Sequence, residues 1–230
     1  MTKYFDLYGD GLDPMHGDPN WFAKIKGDWL CPICRKPQIE GPIDVYLGEK
    51  PPPAVLNIVF GLGGTGIARA DFLLAFGERV AEQYLHLGRV FGPIDSETPN
   101  FVSFRGRTTA LIRGDEESTY RGRCEACNEL LYFPMGERYL LTRPQGFADM
   151  MVSQFGCLIV SESLLRTIRA DEWDELAIDE LPIFEEPRDG LPKDPADWPP
   201  PRITPSEERY RRIQESERRA KRRLESERSS

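Results

Sequence analysis

Four of the chain's five cysteines fall in two CxxC pairs, Cys31-Pro32-Ile33-Cys34 and Cys124-Glu125-Ala126-Cys127. Two residues between cysteines let a tight turn aim both thiolates at one point, and two such turns supply the tetrahedral four-sulfur shell that zinc prefers. Between the pairs lie 89 residues. That is far more than the ~15–20 of a free-standing zinc ribbon, so a metal held by all four would join two distant parts of one fold. Thiol–disulfide chemistry also uses this spacing. A redox site of that kind carries one CxxC at a strand-to-helix junction, whereas two matched pairs occur here. The matched pairs favour one structural Zn2+ on Cys31, Cys34, Cys124 and Cys127. Four thiolates fill the coordination shell, and neither His16 nor His86 lies near a pair in sequence, so no open catalytic position is expected. Cys157, inside an apolar run, reads as a small core residue.

A second pattern invites chemistry. Gly61-Leu62-Gly63-Gly64-Thr65-Gly66 matches GxGxxG after the apolar run 54–60 and before an apolar pattern of helical spacing over 67–87. In a dinucleotide-binding fold such glycines bring backbone close to a pyrophosphate at a helix N-terminus. The following strand signal, Arg89-Val90-Phe91, is poor, and no acidic residue closes it at the ribose position. A packed glycine turn is the favoured reading, and a nucleotide-binding enzyme the lesser one. The chain has no GxSxG, no HExxH and no Walker lysine after the glycines. No catalytic residue is assigned, and the expectation is a protein that is not an enzyme.

The elements that must position these residues are short. Residues 1–8 alternate like a first strand, and 54–60, 100–104, 108–112 and 130–133 read as further strands. Cys157-Leu158-Ile159-Val160 predicts a strand, Ser161 a cap for a helix over 163–168, and residues 176–183 an extended return. The fold class is therefore α+β: a zinc-clipped mixed sheet with a few helices. Residues 1–185 form the double-CxxC globular domain, with knuckles at 31–34 and 124–127 and an insert over 36–120. Seven prolines between 185 and 205 make 186–205 a proline-rich linker. Residues 206–230 are rich in Arg and Glu and read as a helical or disordered tail.

Charge is split between these parts. The chain is net −8; residues 205–230 hold nine Lys/Arg against six Glu, a local +3, so the first 204 residues carry −11. An acidic body argues against nucleic-acid binding by the body, which would need basic groups on phosphates. Ordinary solubility accounts for such a charge; as a binding signal it suits a basic protein partner, and leaves RNA contact to the tail alone. No apolar run approaches the ~20 residues of a membrane span, and the first residues lack a charged-then-apolar leader pattern. Paired cysteines without such a leader favour the reducing cytoplasm.

The widely separated CxxC pairs, the junction Leu158-Ile159-Val160-Ser161-Glu162-Ser163 and the closing Leu181-Pro182-Ile183 resemble the double-CXXCG motif proteins. Members of that family, best known from myxobacteria, act as immunity proteins that neutralise toxins delivered by sibling cells. The resemblance spans roughly residues 1–185 and implies stoichiometric binding of a cognate toxin; the acidic body would suit a cationic one. The chain departs from the family where Arg35 and Asn128 stand in place of the glycine after each CxxC. Asn tolerates a left-handed backbone better than Arg does.

Overall fold

Gly and Pro, 20 of each in 230 residues, interrupt the chain too often for long regular elements, and β-branched and aromatic runs between them become short strands. The computed structural model describes residues 2–9, 31, 34, 36, 38–47, 55–58, 64–77, 79–92, 97–116, 120, 122–169, 172–173 and 176–199. Along them run β1 (Tyr4–Gly9), β2 (Val45–Tyr46), β3 (Leu56–Ile58), β4 (Thr65–Arg69), α1 (Ala70–Ala75), α2 (Val80–Tyr84), β5 (Leu85–Phe91), β6 (Glu97–Gly106), β7 (Thr109–Ala110) and β8 (Arg113–Gly114). Then follow β9 (Arg138–Leu141), β10 (Met150–Ser153), β11 (Leu158–Ser161), α3 (Glu162–Leu165), β12 (Leu176–Leu181) and β13 (Ile183–Phe184). The class is mixed α+β with few helices, as expected.

Three sheets result, ordered β12-β1-β11-β10-β7, β2-β5-β6-β4-β3 and β13-β9-β8. The first lies in the middle. Its strands β10 and β11 are buried at every position, and alternate residues enter different cores. Met150, Val152, Leu158 and Val160 meet Leu56, Ala68, Phe72 and Phe104 from the second sheet and α1, whereas Met151 and Ile159 meet Leu140 and Ile112 on the other side. Period-two geometry explains why these strands read as continuous apolar runs: both faces are covered. A smaller core of Ile43, Val45, Leu47, Ile67 and Val90 takes up further apolar residues of the second sheet and the segment leading into it.

The strand–helix–strand unit near the end is present. Ser161 Oγ accepts from the Leu164 amide at 3.3 Å and so caps α3. Its two strands are not neighbours, however. Both β11 and β12 pair antiparallel with β1, which lies between them. Sequence pattern cannot place a strand from 150 residues away into that gap.

Three local expectations change. The helical spacing over 67–87 resolves into the end of β4, two helices of six and five residues, and the start of β5, with Gly77 at φ +117° between the helices. Residues 131–133 form no strand; Leu130 makes one isolated bridge to Arg123. The glycine motif does not open a helix. Gly64 lies in a turn with φ +76°, and Thr65–Arg69 runs on as a strand antiparallel to β3. Residues 61–63 lie outside the described residues. Gly66 is glycine for packing, since a Cβ there would come within 2.2 Å of the Phe104 ring and 2.7 Å of the Gly156 carbonyl oxygen.

The proline-rich stretch reads as a linker, yet its residues 186–199 lie on the body. Asp189 and Arg113 form an ion pair with side chains 0% and 1% exposed. Arg113 also donates to the carbonyls of Pro192 at 2.8 Å and Leu191 at 3.0 Å, and lies over the Trp198 ring. The Tyr132 hydroxyl donates to Asp189 at 2.8 Å and accepts from the Gly114 amide at 3.1 Å. Composition favours extended backbone here; the buried arginine is what ties it down. Residues 200–230, and with them the rest of the linker and the tail, lie outside the described residues.

Candidate metal centre

Strands β2 to β8, and so the whole second sheet, lie between the two knuckles in sequence. The fold nonetheless returns the second knuckle to the first. The Sγ atoms of Cys31, Cys34, Cys124 and Cys127 all lie within 4.8 Å of one another. Two contacts run across the knuckles: Cys31 to Cys124 at 3.5 Å and Cys34 to Cys127 at 3.4 Å. A tetrahedron of sulfurs ~2.3 Å from a central ion has edges of about 3.8 Å. The quartet is thus close to the required size, and none of its members is in a disulfide.

Both knuckles have the same local wiring. The Cys31 amide donates to the Lys36 carbonyl at 2.9 Å, and the Cys124 amide to the Glu129 carbonyl at 2.8 Å. In return the Lys36 amide donates to the Cys34 sulfur and the Glu129 amide to the Cys127 sulfur. Each turn therefore presents one buried cysteine (Cys31, Cys124) and one half-buried cysteine (Cys34, Cys127). Lys36 and Glu129, equivalent in the two turns, pair with each other at 3.4 Å, and Lys36 Nζ also donates to the Leu130 carbonyl at 3.1 Å. These contacts hold the knuckles face to face.

The second turn is closed by the Asn128 amide donating to the Cys124 carbonyl at 2.7 Å, with the Leu131 amide reaching the Gly122 carbonyl at 2.8 Å. Asn128 has φ +60° and is the only non-glycine at positive φ among the described residues. This is the position where the resembling family has glycine, and asparagine meets the same backbone demand. Arg35, its counterpart in the first turn, lies outside the described residues.

Electrostatics make the quartet costly without a cation. Burial pushes the Cys34 and Cys127 thiols up from their usual value, and four thiolates cannot share this volume unless an ion offsets their charge. Four soft sulfur donors in a tetrahedron suit zinc or iron. The cluster can hold one metal ion, with no room left in the first shell for a substrate.

No family model, curated protein or solved structure matches this chain. The likeness to the double-CXXCG proteins therefore rests on the residues quoted for it.

Among the described residues the quartet is the only grouping of three or more His, Cys, Asp or Glu placed to hold an ion. His86 is in β5 and does not join it; His16 lies outside the described residues. Cys157 is buried at 4% exposure, and burial pushes its thiol up to about 12. Sequence reasoning found all four cysteines but not Lys36 and Glu129. Their shared place, two residues past each second cysteine, was the signal available. No described helix is long and apolar enough to cross a membrane.

Proposed function

We propose that this chain is a non-catalytic cytoplasmic binding protein clipped by one structural zinc ion, and that it neutralises a cognate toxin by stoichiometric binding. The observation that carries the zinc reading is the convergence of two CxxC turns, 89 residues apart in sequence, on one volume. A tetrathiolate shell is closed, so its contribution is folding energy rather than chemistry. The immunity role is supported by the resemblance of the knuckles and of residues 158–163 and 181–183 to the double-CXXCG proteins. The −11 charge of residues 1–204 would speed encounter with a cationic toxin and complement its surface.

Metal analysis of the purified chain tests the first part. One zinc per chain is expected; iron, or no bound metal in a folded chain, overturns it. The second part is tested by co-expressing the chain with toxin domains encoded by neighbouring reading frames. Survival of the cells, with a one-to-one complex on size exclusion, is expected. Unprotected cells with every such toxin sink the immunity role. A salt-sensitive RNA interaction that vanishes on deleting residues 206–230 would instead favour a regulatory or RNA-associated protein working through its tail.

A further inference from the structure

Arg105 on β6 lies directly opposite His86 on β5 and Thr65 on β4, and opposed residues put their side chains on one face of a sheet. A second guanidinium joins this row. Arg107 follows just past the end of β6, where its amide donates to the Tyr84 carbonyl at 2.8 Å and its Nε to the Glu82 carbonyl at 3.1 Å. His86 feels both arginines. Burial first, then the charges of Arg107 and Arg105, push its imidazole below the usual value, against a smaller opposite pull from Glu40.

Like charges gathered in this way disfavour one another unless an anion offsets them. Among the described residues no carboxylate forms an ion pair with Arg105, Arg107 or His86. Of the acidic groups nearby, Glu129 is held by Lys36 at 3.4 Å, Glu82 offers Arg107 its backbone carbonyl, and Glu40 is exposed. Half-buried Arg105 uses its Nη1 on the carbonyls of Ile39 at 2.6 Å and Gly41 at 3.5 Å. Its Nε and Nη2 have no hydrogen-bond partner among the described residues, nor do the two Nη atoms of exposed Arg107. The inner end of the row carries one more unmet group: Thr65 is fully buried, and its hydroxyl has no partner either.

We propose that Arg105, His86 and Arg107 form an anion site that takes a phosphate group, either free inorganic phosphate or the phosphate of a small monoester. Each arginine has N–H groups left over to donate to two oxygens, and the imidazole adds a third donor beside them. A carboxylate would occupy only one such fork, whereas a phosphate dianion has oxygens and charge for both guanidiniums. The overall charge of −8 makes this local gathering of cations the exception on the chain. The inference depends neither on the metal nor on the immunity role.

NMR of the imidazole protons of the full chain at pH 7 tests it, with inorganic phosphate replacing chloride at constant ionic strength and the His86 resonance assigned by His86→Gln. A saturable shift in the millimolar range or below is expected, with a rise in the His86 pKa because a bound dianion favours the imidazolium. Arg107→Gln, a change at an exposed residue, should weaken binding about tenfold through loss of one charge-assisted contact. Glu40→Gln should instead tighten it about two- to threefold by removing a nearby negative charge, an effect that misfolding does not produce. Tighter binding of a nucleoside monophosphate than of inorganic phosphate assigns the site to an esterified phosphate, and equal binding assigns it to the free ion. No saturable shift, or one that Arg107→Gln leaves unchanged, overturns the proposal.

Discussion

Replacing Asp189 with alanine should cost about 3 kcal/mol, and the reason lies in what it leaves behind. Asp189 accepts from Arg113 Nε at 2.9 Å and from a second Arg113 nitrogen, from the Tyr132 hydroxyl at 2.8 Å and from the Leu191 amide at 3.2 Å. The alanine strands a guanidinium whose side chain is 1% exposed. Breaking a buried ion pair on one side costs ~3–5 kcal/mol. The lower end applies because the carbonyls of Pro192 and Leu191 and the face of Trp198 still solvate Arg113. Removing both charges differs in kind: Arg113→Met with Asp189→Leu should cost less than Arg113→Met and Asp189→Leu added together, since the apolar pair leaves no charge buried without its partner. Tyr132 keeps its bond from the Gly114 amide in both variants. Urea denaturation of wild type, Arg113→Met, Asp189→Leu and the double variant closes the cycle, with Asp189→Ala measured beside it and an unchanged slope required for a two-state comparison. The reasoning fails if Asp189→Ala costs less than ~1 kcal/mol, or if the double variant is as unstable as the sum of the single ones.

Three further outcomes are expected. Serine at any of Cys31, Cys34, Cys124 or Cys127, or removal of metal by a chelator, should lower the melting temperature and abolish one-to-one metal content together; a variant that loses metal but keeps its melting temperature would contradict a structural role. Asn128→Gly should be nearly neutral, whereas Asn128→Val should cost roughly 1–2 kcal/mol at φ +60°; equal melting temperatures for the two would remove the backbone argument. Asp6 is fully buried opposite Arg138, and burial raises its carboxyl from 3.8 to about 7 against the pull of Arg138. Between about pH 4 and 7 the folded chain thus holds a proton that the unfolded chain has released, so stability falls as pH rises through that window, by at most ~1.4 kcal/mol per unit. Asp6→Asn, which cannot ionise, should gain on wild type from pH 4.5 to 8 in denaturant titrations, and parallel stability curves would refute this.

The metal-centre residues were legible because their chemistry is local. CxxC spacing is a property of a single turn, and cysteine is scarce enough for two matched pairs to stand out. β1, β11 and the Ser161 cap were legible for the same reason, since alternation, apolar runs and capping act over a few residues. The glycine motif shows the opposite case. Its residue types suit a phosphate turn, but Gly66 is glycine because Phe104 and Gly156 press on it from elsewhere in the fold. Likewise, the proline-rich stretch has the composition of a linker, and nothing within it indicates that Asp189 meets Arg113, 76 residues away.

By itself, then, the sequence determined the two cysteine pairs, the α+β class, the uneven charge and about half of the short strands (β1, β3, β6, β7, β11 and β12), each set by residue type at close spacing; the central strand β10 and the edge strands β2, β8 and β9 carried no such signal. Only the tertiary structure decided that β1 enters between β11 and β12, that the two knuckles face each other through Lys36 and Glu129, and that residues 186–199 close over Arg113. Those are meetings of residues far apart in the chain. Their energy comes from burying shared surface and satisfying one another's charges, which no single stretch of sequence contains.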